Sequence, residues 1–126
     1  MKSLLVSALL AASLSGVAHA QSGSGGEIGY PKGSIGYDAL VAGDNQRAVS
    51  QILNGDRVSR RDPALLINLG QAYARMGRTA EAAELFTQAM QSRESVELVL
   101  ADGRIMNSKE AARQAFSGLK TKIATR

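Results

Sequence analysis

Pro63–Val96 reads PALLINLGQAYARMGRTAEAAELFTQAMQSRESV, and the spacing of its apolar and small residues decides the fold. Asp62 and Pro63 open a helix: the carboxylate accepts an otherwise unpaired N–H of the first turn, and a proline at the first helical position has no N–H to lose. Leu66, Leu69, Tyr73 and Met76 follow at helical spacing until Gly77 stops the run. A second start at Thr79 leads into Ala82, Leu85, Phe86 and Ala89 and predicts a helix running to Gln91 or Arg93. The small residues Gly70, Ala82 and Ala89 let two such helices approach closely, while Tyr73 and Phe86 fill the spaces beside them.

The same pattern stands 34 residues upstream: Gly36 recurs as Gly70, Gly43 as Gly77, Ala48 as Ala82, and the pair Ile35 and Ile52 as Leu69 and Phe86. A fixed period of this size marks a stacked array of helical hairpins, in which each unit hides its apolar face only against a neighbour. The first copy, about residues 29–62, is degraded. A short helix around Ile35, Ala39 and Leu40 is expected to close at Gly43. Asp44 or Asn45 then caps a second helix with Ala48, Val49, Ile52 and Leu53 on one face, ending at Asn54 and Gly55. Asp56–Arg61 is polar and reads as a connecting loop.

Pro63–Val96 resembles one tetratricopeptide repeat. Leu66 stands at the usual tryptophan site, Leu69-Gly70 at the Leu-Gly pair, Tyr73 at the tyrosine, Ala82 and Phe86 at the Ala-x-x-x-Phe pair, and Ala89 at the second small site; Glu94 replaces the closing proline. In the first copy Ile35-Gly36 stands in for the Leu-Gly pair and Ala39 for the tyrosine, so the resemblance covers about two repeats, residues 35–95. It implies a mainly α fold of tetratricopeptide-like helical hairpins. In that family, side chains on the first helix of each repeat line a ligand groove. The matching positions are Ile67, Asn68, Gln71, Ala74 and Arg75, with Asn68 at a site where the family often grips a peptide backbone. The carboxylate clamp for peptide C-termini does not carry over, because Gly33 and Tyr37 occupy its first-repeat lysine and asparagine sites.

Outside the repeats, residues 1–20 read as an export signal: Lys2, an apolar stretch from Leu4 to Leu14, and the small-x-small site Ala18, His19, Ala20. The stretch is broken by serines and too short to span a bilayer comfortably, so no stable membrane insertion is expected after cleavage. The destination expected is the periplasm, with release from the cell as the alternative. Residues 21–34, rich in Gly and Ser, form a linker. A chain of the remaining size buries only roughly 60 to 65 % of its unfolded surface. It has no cysteine to staple it, so stability rests on helix packing.

Residues 96–126 supply a closing module. Val96, Leu98 and Leu100 alternate, Asp102-Gly103 suits a two-residue turn, and Ile105 is expected opposite Leu100 in a β-hairpin. Asn107 or Ser108 caps a final helix, with Glu110 as the far side of a capping box and Ala112, Ala115, Phe116, Leu119 and Ile123 as its apolar stripe. Because repeats of this kind need about three units for a stable stack, Phe116 and Leu119 are expected to pack on the second repeat. A two-stranded hairpin is marginal alone, which makes its edge a candidate dimer contact.

The chemistry available is narrow. The single histidine lies in the export signal and there is no cysteine, which removes Ser-His and Cys-His nucleophiles and the usual zinc sets from the mature chain. No cofactor, metal or catalytic residue is expected. Glu81 and Glu84 remain the one conceivable carboxylate pair, and a solvated helix face accounts for them better. The net charge of +4 is mild, and the few aromatics do not interleave with the basic residues, so a nucleic-acid platform has no support. The resemblance implies a non-enzymatic protein–protein interaction scaffold of the cell envelope. The alternative is a structural protein docking on anionic surfaces through the basic final helix, with Lys109, Arg113, Lys120, Lys122 and Arg126.

Overall fold

The computed structural model describes residues 29–55 and 61–124. The expected export signal, linker residues 21–28, loop residues 56–60 and the last two residues lie outside them. Five helices and one hairpin follow in order: α1 (Tyr37–Val41), α2 (Asn45–Leu53), α3 (Pro63–Arg75), α4 (Thr79–Gln91), β1 (Glu97–Val99), β2 (Ile105–Asn107) and α5 (Ser108–Ala124). The architecture is mainly α with a small two-stranded antiparallel sheet. Among the described residues no helix is long and apolar enough to cross a membrane.

The 34-residue period is visible atom by atom. At the end of α1 the Gly43 N–H donates to Leu40 O and the Asp44 N–H to Ala39 O; at the end of α3 the Gly77 N–H donates to Ala74 O and the Arg78 N–H to Tyr73 O. Both glycines take φ +78. These are two copies of one Schellman stop, which needs a residue without a Cβ at the left-handed position. The helix contacts repeat as well. A Cβ built on Gly70 would lie 2.4 Å from the Phe86 ring, and one built on Gly36 would lie 2.9 Å from Ile52 Cδ1, the residue at the equivalent place. Gly70 thus gives the Phe86 ring of α4 the space that a side chain on α3 would take, and Phe86 is 1 % exposed.

The copies differ where the first is degraded. Gly36 has φ +84 and forms the N-cap of α1, so the helix begins only at Tyr37 and Ile35 lies outside it, exposed. The second copy starts as the sequence predicts, with Asp62 Oδ1 accepting the Ala64 N–H at 2.8 Å.

Helix α3 is the central rod. It packs on α2, α4 and α5, and every residue from Pro63 to Ala72 is buried. By its spacing this helix has one apolar face, and the resemblance implies an open groove side with Asn68, Gln71 and Arg75. A helix surrounded on all sides loses that distinction. Its core side joins Leu66, Ile67, Ala82, Phe86 and Ala89 to Leu98, Leu100, Ala111, Ala112, Ala115 and Leu119. The final module therefore closes the stack, with Leu119 in this core and Phe116 packed against it.

The hairpin register differs from expectation. Leu98 pairs with Met106 and Val99 with Ile105, and Leu100 N–H donates to Arg104 O at 2.8 Å while Gly103 N–H donates to Leu100 O at 2.9 Å. The loop is three residues, Ala101–Gly103, with Gly103 at φ +84: a type I turn with a bulge in place of a two-residue turn. A one-residue change of register moves side chains to the other face. Met106 therefore joins Leu98 on the core side, and Ile105 faces outward at 67 % exposure. Asn107 Oδ1 accepts the Lys109 N–H at 3.0 Å and caps α5. Glu110 does not close a capping box; its carboxylate binds Arg113 and Gln114 instead. Ile123, at 56 % exposure, falls outside the buried stripe because residues 120–124 are all exposed.

Candidate functional site

The part of the linker reading that covers residues 29–34 is corrected by the structure. This stretch is a strap laid across α3 and β1. Gly29 sits on the loop after β1, where an added Cβ would meet Ala101 N at 3.0 Å. Tyr30 is buried with Ala39, Leu40, Ala48 and Ala72, and Pro31 is among the most fully buried side chains. The Lys32 N–H donates to Val99 O at 2.5 Å. Gly- and Ser-rich composition gives no apolar face of its own, but Tyr30-Pro31 finds one already built by α1, α2 and α3.

Two of the predicted groove residues hold this strap. Asn68 Nδ2 donates to Ser34 Oγ at 2.6 Å and lies 3.4 Å from the Ile35 carbonyl oxygen. Ser34 Oγ in turn donates to Pro31 O at 2.6 Å, which folds the strap into a tight turn. Further along α3, the Arg75 guanidinium stacks on the Tyr30 ring, 4.6 Å from its centroid, and donates to the Leu40 carbonyl at 2.9 Å. A cation over an aromatic face contributes about 0.5 to 2 kcal/mol according to its desolvation.

The five residues expected to line one groove divide three ways. Asn68 and Arg75 lie under the strap. Gln71 and Ala74 line a shallow cleft whose other walls are Phe86, Ala115, Gly118, Leu119 and Lys122, which places them toward α5. Ile67 belongs to the core and is fully buried. Asn68 and Gln71 are 0 % and 4 % exposed, so the polar strip is not open to solvent in this conformation. Tyr30, Pro31 and Ser34 are the residues that the sequence reading did not select. Two signals were available: an aromatic-proline pair inside a Gly/Ser tract, and the separation of 34 residues between Ser34 and Asn68, one repeat period.

Asn68 is only half satisfied. Its Oδ1 is buried and has no hydrogen-bond partner. A buried carbonyl oxygen left in this state costs about 1 to 3 kcal/mol.

The carboxylate pair is arranged differently. Glu81 lies in the first turn of α4 and binds the Arg78 guanidinium at 2.8 Å. Its carboxyl is held below the usual value, first by a backbone N–H at the helix start and then by Arg78. That keeps it ionised, opposite to the raised value of a general acid. Glu84 is exposed and accepts from Gln88 at 3.4 Å. No family model, curated protein or solved structure matches the chain.

Proposed function

We propose that the chain is an exported, non-enzymatic interaction scaffold of the cell envelope, related to tetratricopeptide-repeat proteins, which binds a peptide or protein segment along α3. The observation that carries this reading is the hold of Asn68 on Ser34 and the Ile35 carbonyl: the α3 face already accommodates a second stretch of chain, gripped by a carboxamide and flanked by a cation stacked on an aromatic ring. The duplicated Schellman stops and the Gly70–Phe86 and Gly36–Ile52 contacts support the repeat relationship. The test is affinity capture from envelope extract with the native chain and with Arg75→Glu. The reading expects the native chain to retain a protein that the variant loses, and identical capture by both contradicts it.

A second reading rests on α5. Lys109, Arg113, Phe116, Lys120 and Ile123 recur at helical spacing on one stripe, with the Lys120 ammonium 4.9 Å from the centre of the Phe116 ring. A basic stripe carrying apolar side chains suits an anionic lipid or polymer surface. Binding to anionic vesicles that falls with added salt supports this docking role, and no binding at low salt removes it.

A further inference from the structure

We infer that the strap Gly29–Ile35 is an intrasteric ligand: it occupies the peptide-binding face of α3 in cis and is displaced by a turn-forming segment of a partner carrying an aromatic-proline pair followed three residues later by a hydroxyl side chain. The inference rests on the proposed peptide-binding role and states what that face selects. Three separate contacts define the selectivity. The aromatic position is set by the Tyr30 pocket, closed above by Arg75. The proline site is set by the burial of Pro31. The hydroxyl position is set by Asn68 Nδ2, which reaches Ser34 Oγ at 2.6 Å. Between them the strap gives its Lys32 N–H to Val99 O of β1.

The strap has the properties of a replaceable occupant. It leaves Asn68 Oδ1 buried without a partner, so a segment that offers an N–H at that point makes one more hydrogen bond than the strap does. Lys32, Gly33 and Ile35 are exposed, so between the anchors it is held by the backbone bond to Val99 and by no buried side chain. A tethered occupant competes at an effective concentration of roughly millimolar order, which lowers the apparent affinity for a free segment without removing it.

The probe is a fluorescent peptide of residues 28–36, IGYPKGSIG, titrated by anisotropy against the full mature chain. Changes in the strap weaken only the cis occupant. Ser34→Ala removes one hydrogen bond to Asn68 and raises the apparent peptide affinity about fivefold. Tyr30→Ala with Ser34→Ala raises it more than tenfold. Changes in the face act on the bound peptide: Asn68→Ala lowers the affinity about fivefold in the strap-disabled background. Circular dichroism on each variant verifies the fold. If the double variant unfolds, the Ser34→Ala rise decides the matter alone. Equal peptide affinity in native and Ser34→Ala chains overturns the inference, and so does indifference to Asn68→Ala in the strap-disabled background. An Arg75-dependent partner captured equally well with and without the strap changes overturns the strap inference and leaves the binding role standing. Loss of both the peptide signal and the Arg75 dependence removes the two together.

Discussion

Gly70→Ala is the sharpest test of the packing unit, because two effects of known sign oppose each other there. In an exposed helix the substitution stabilises by about 1 kcal/mol through propensity. Here the new methyl would lie 2.4, 2.8 and 3.0 Å from three carbons of the Phe86 ring, against an ordinary contact of about 3.5 to 4.0 Å. The ring must retreat by about 1 Å, and it is 1 % exposed in a core shared with Ala82 and Ala89, so the shift is passed to close-packed neighbours. Overpacking of this kind costs about 1 to 3 kcal/mol, which outweighs or cancels the propensity gain and leaves a net loss of up to about 2 kcal/mol. For a domain of this size each kcal/mol lowers Tm by about 4 to 8 °C. Urea unfolding followed by circular dichroism measures the loss, and Phe86→Leu supplies the control. In the double variant the smaller side chain admits the methyl, so the two effects couple by at least about 0.5 kcal/mol. Gly77→Ala, at φ +78 with open space around the position, costs about 1 to 2 kcal/mol by backbone strain alone and adds to Phe86→Leu without coupling. A stabilised Gly70→Ala, or one strictly additive with Phe86→Leu, refutes the contact.

Leu98→Ala removes a buried side chain from the main core and is expected to cost about 2 to 5 kcal/mol, whereas Ile105→Ala on the outer face changes stability by under about 0.5 kcal/mol in the same unfolding assay. A reversed order would restore the two-residue turn register. Asp102 accepts from the Arg104 backbone N–H and then from its guanidinium, and both lower its carboxyl below the ordinary 3.8. A carboxyl lowered in the folded state contributes stability that is present above that ordinary value and is lost as pH falls through the lowered one. Carbon-detected NMR is expected to place the Asp102 midpoint below 3.8, and Asp102→Asn removes its share of the acid dependence; a midpoint at or above the ordinary value contradicts this. Light scattering checks the hairpin edge as a dimer contact, and a monomer at high concentration removes that expectation.

How much of this was legible in the sequence varied with the range of the interaction involved. The period, the helix starts at Asp62 and Asp44 and the stops at Gly43 and Gly77 follow from local hydrogen bonding, and the structure places them where the residues say. The closeness of α3 and α4 was readable because Gly70, inside a helix, costs stability relative to alanine and is favoured there only where a neighbour needs the space of the missing methyl. The hairpin turn was misjudged because Asp-Gly serves both turn types, and the choice is made by Met106 reaching the core, a tertiary effect. The start of α1 was shifted by Gly36 adopting a left-handed φ. At the candidate site, the resemblance named Asn68 and Arg75, and the structure sets both under the strap. Helical spacing could not show that Tyr30 and Pro31 come back to cover them, because a short Gly-rich segment has no periodicity and acquires its burial entirely from a surface made by other elements. Ile67, which the resemblance assigned to the groove, is fully buried in the core together with residues of the hairpin and α5.

Whether the chain covers its own α3 face decides the rest, and proton NMR of the isolated protein tests that most directly. The structure predicts nuclear Overhauser contacts between the Tyr30 ring and the Arg75 side chain, with the Arg75 methylene protons moved upfield by the ring, and between Ser34 and the Asn68 carboxamide. Random-coil shifts for Tyr30 with no contact to α3 would contradict it.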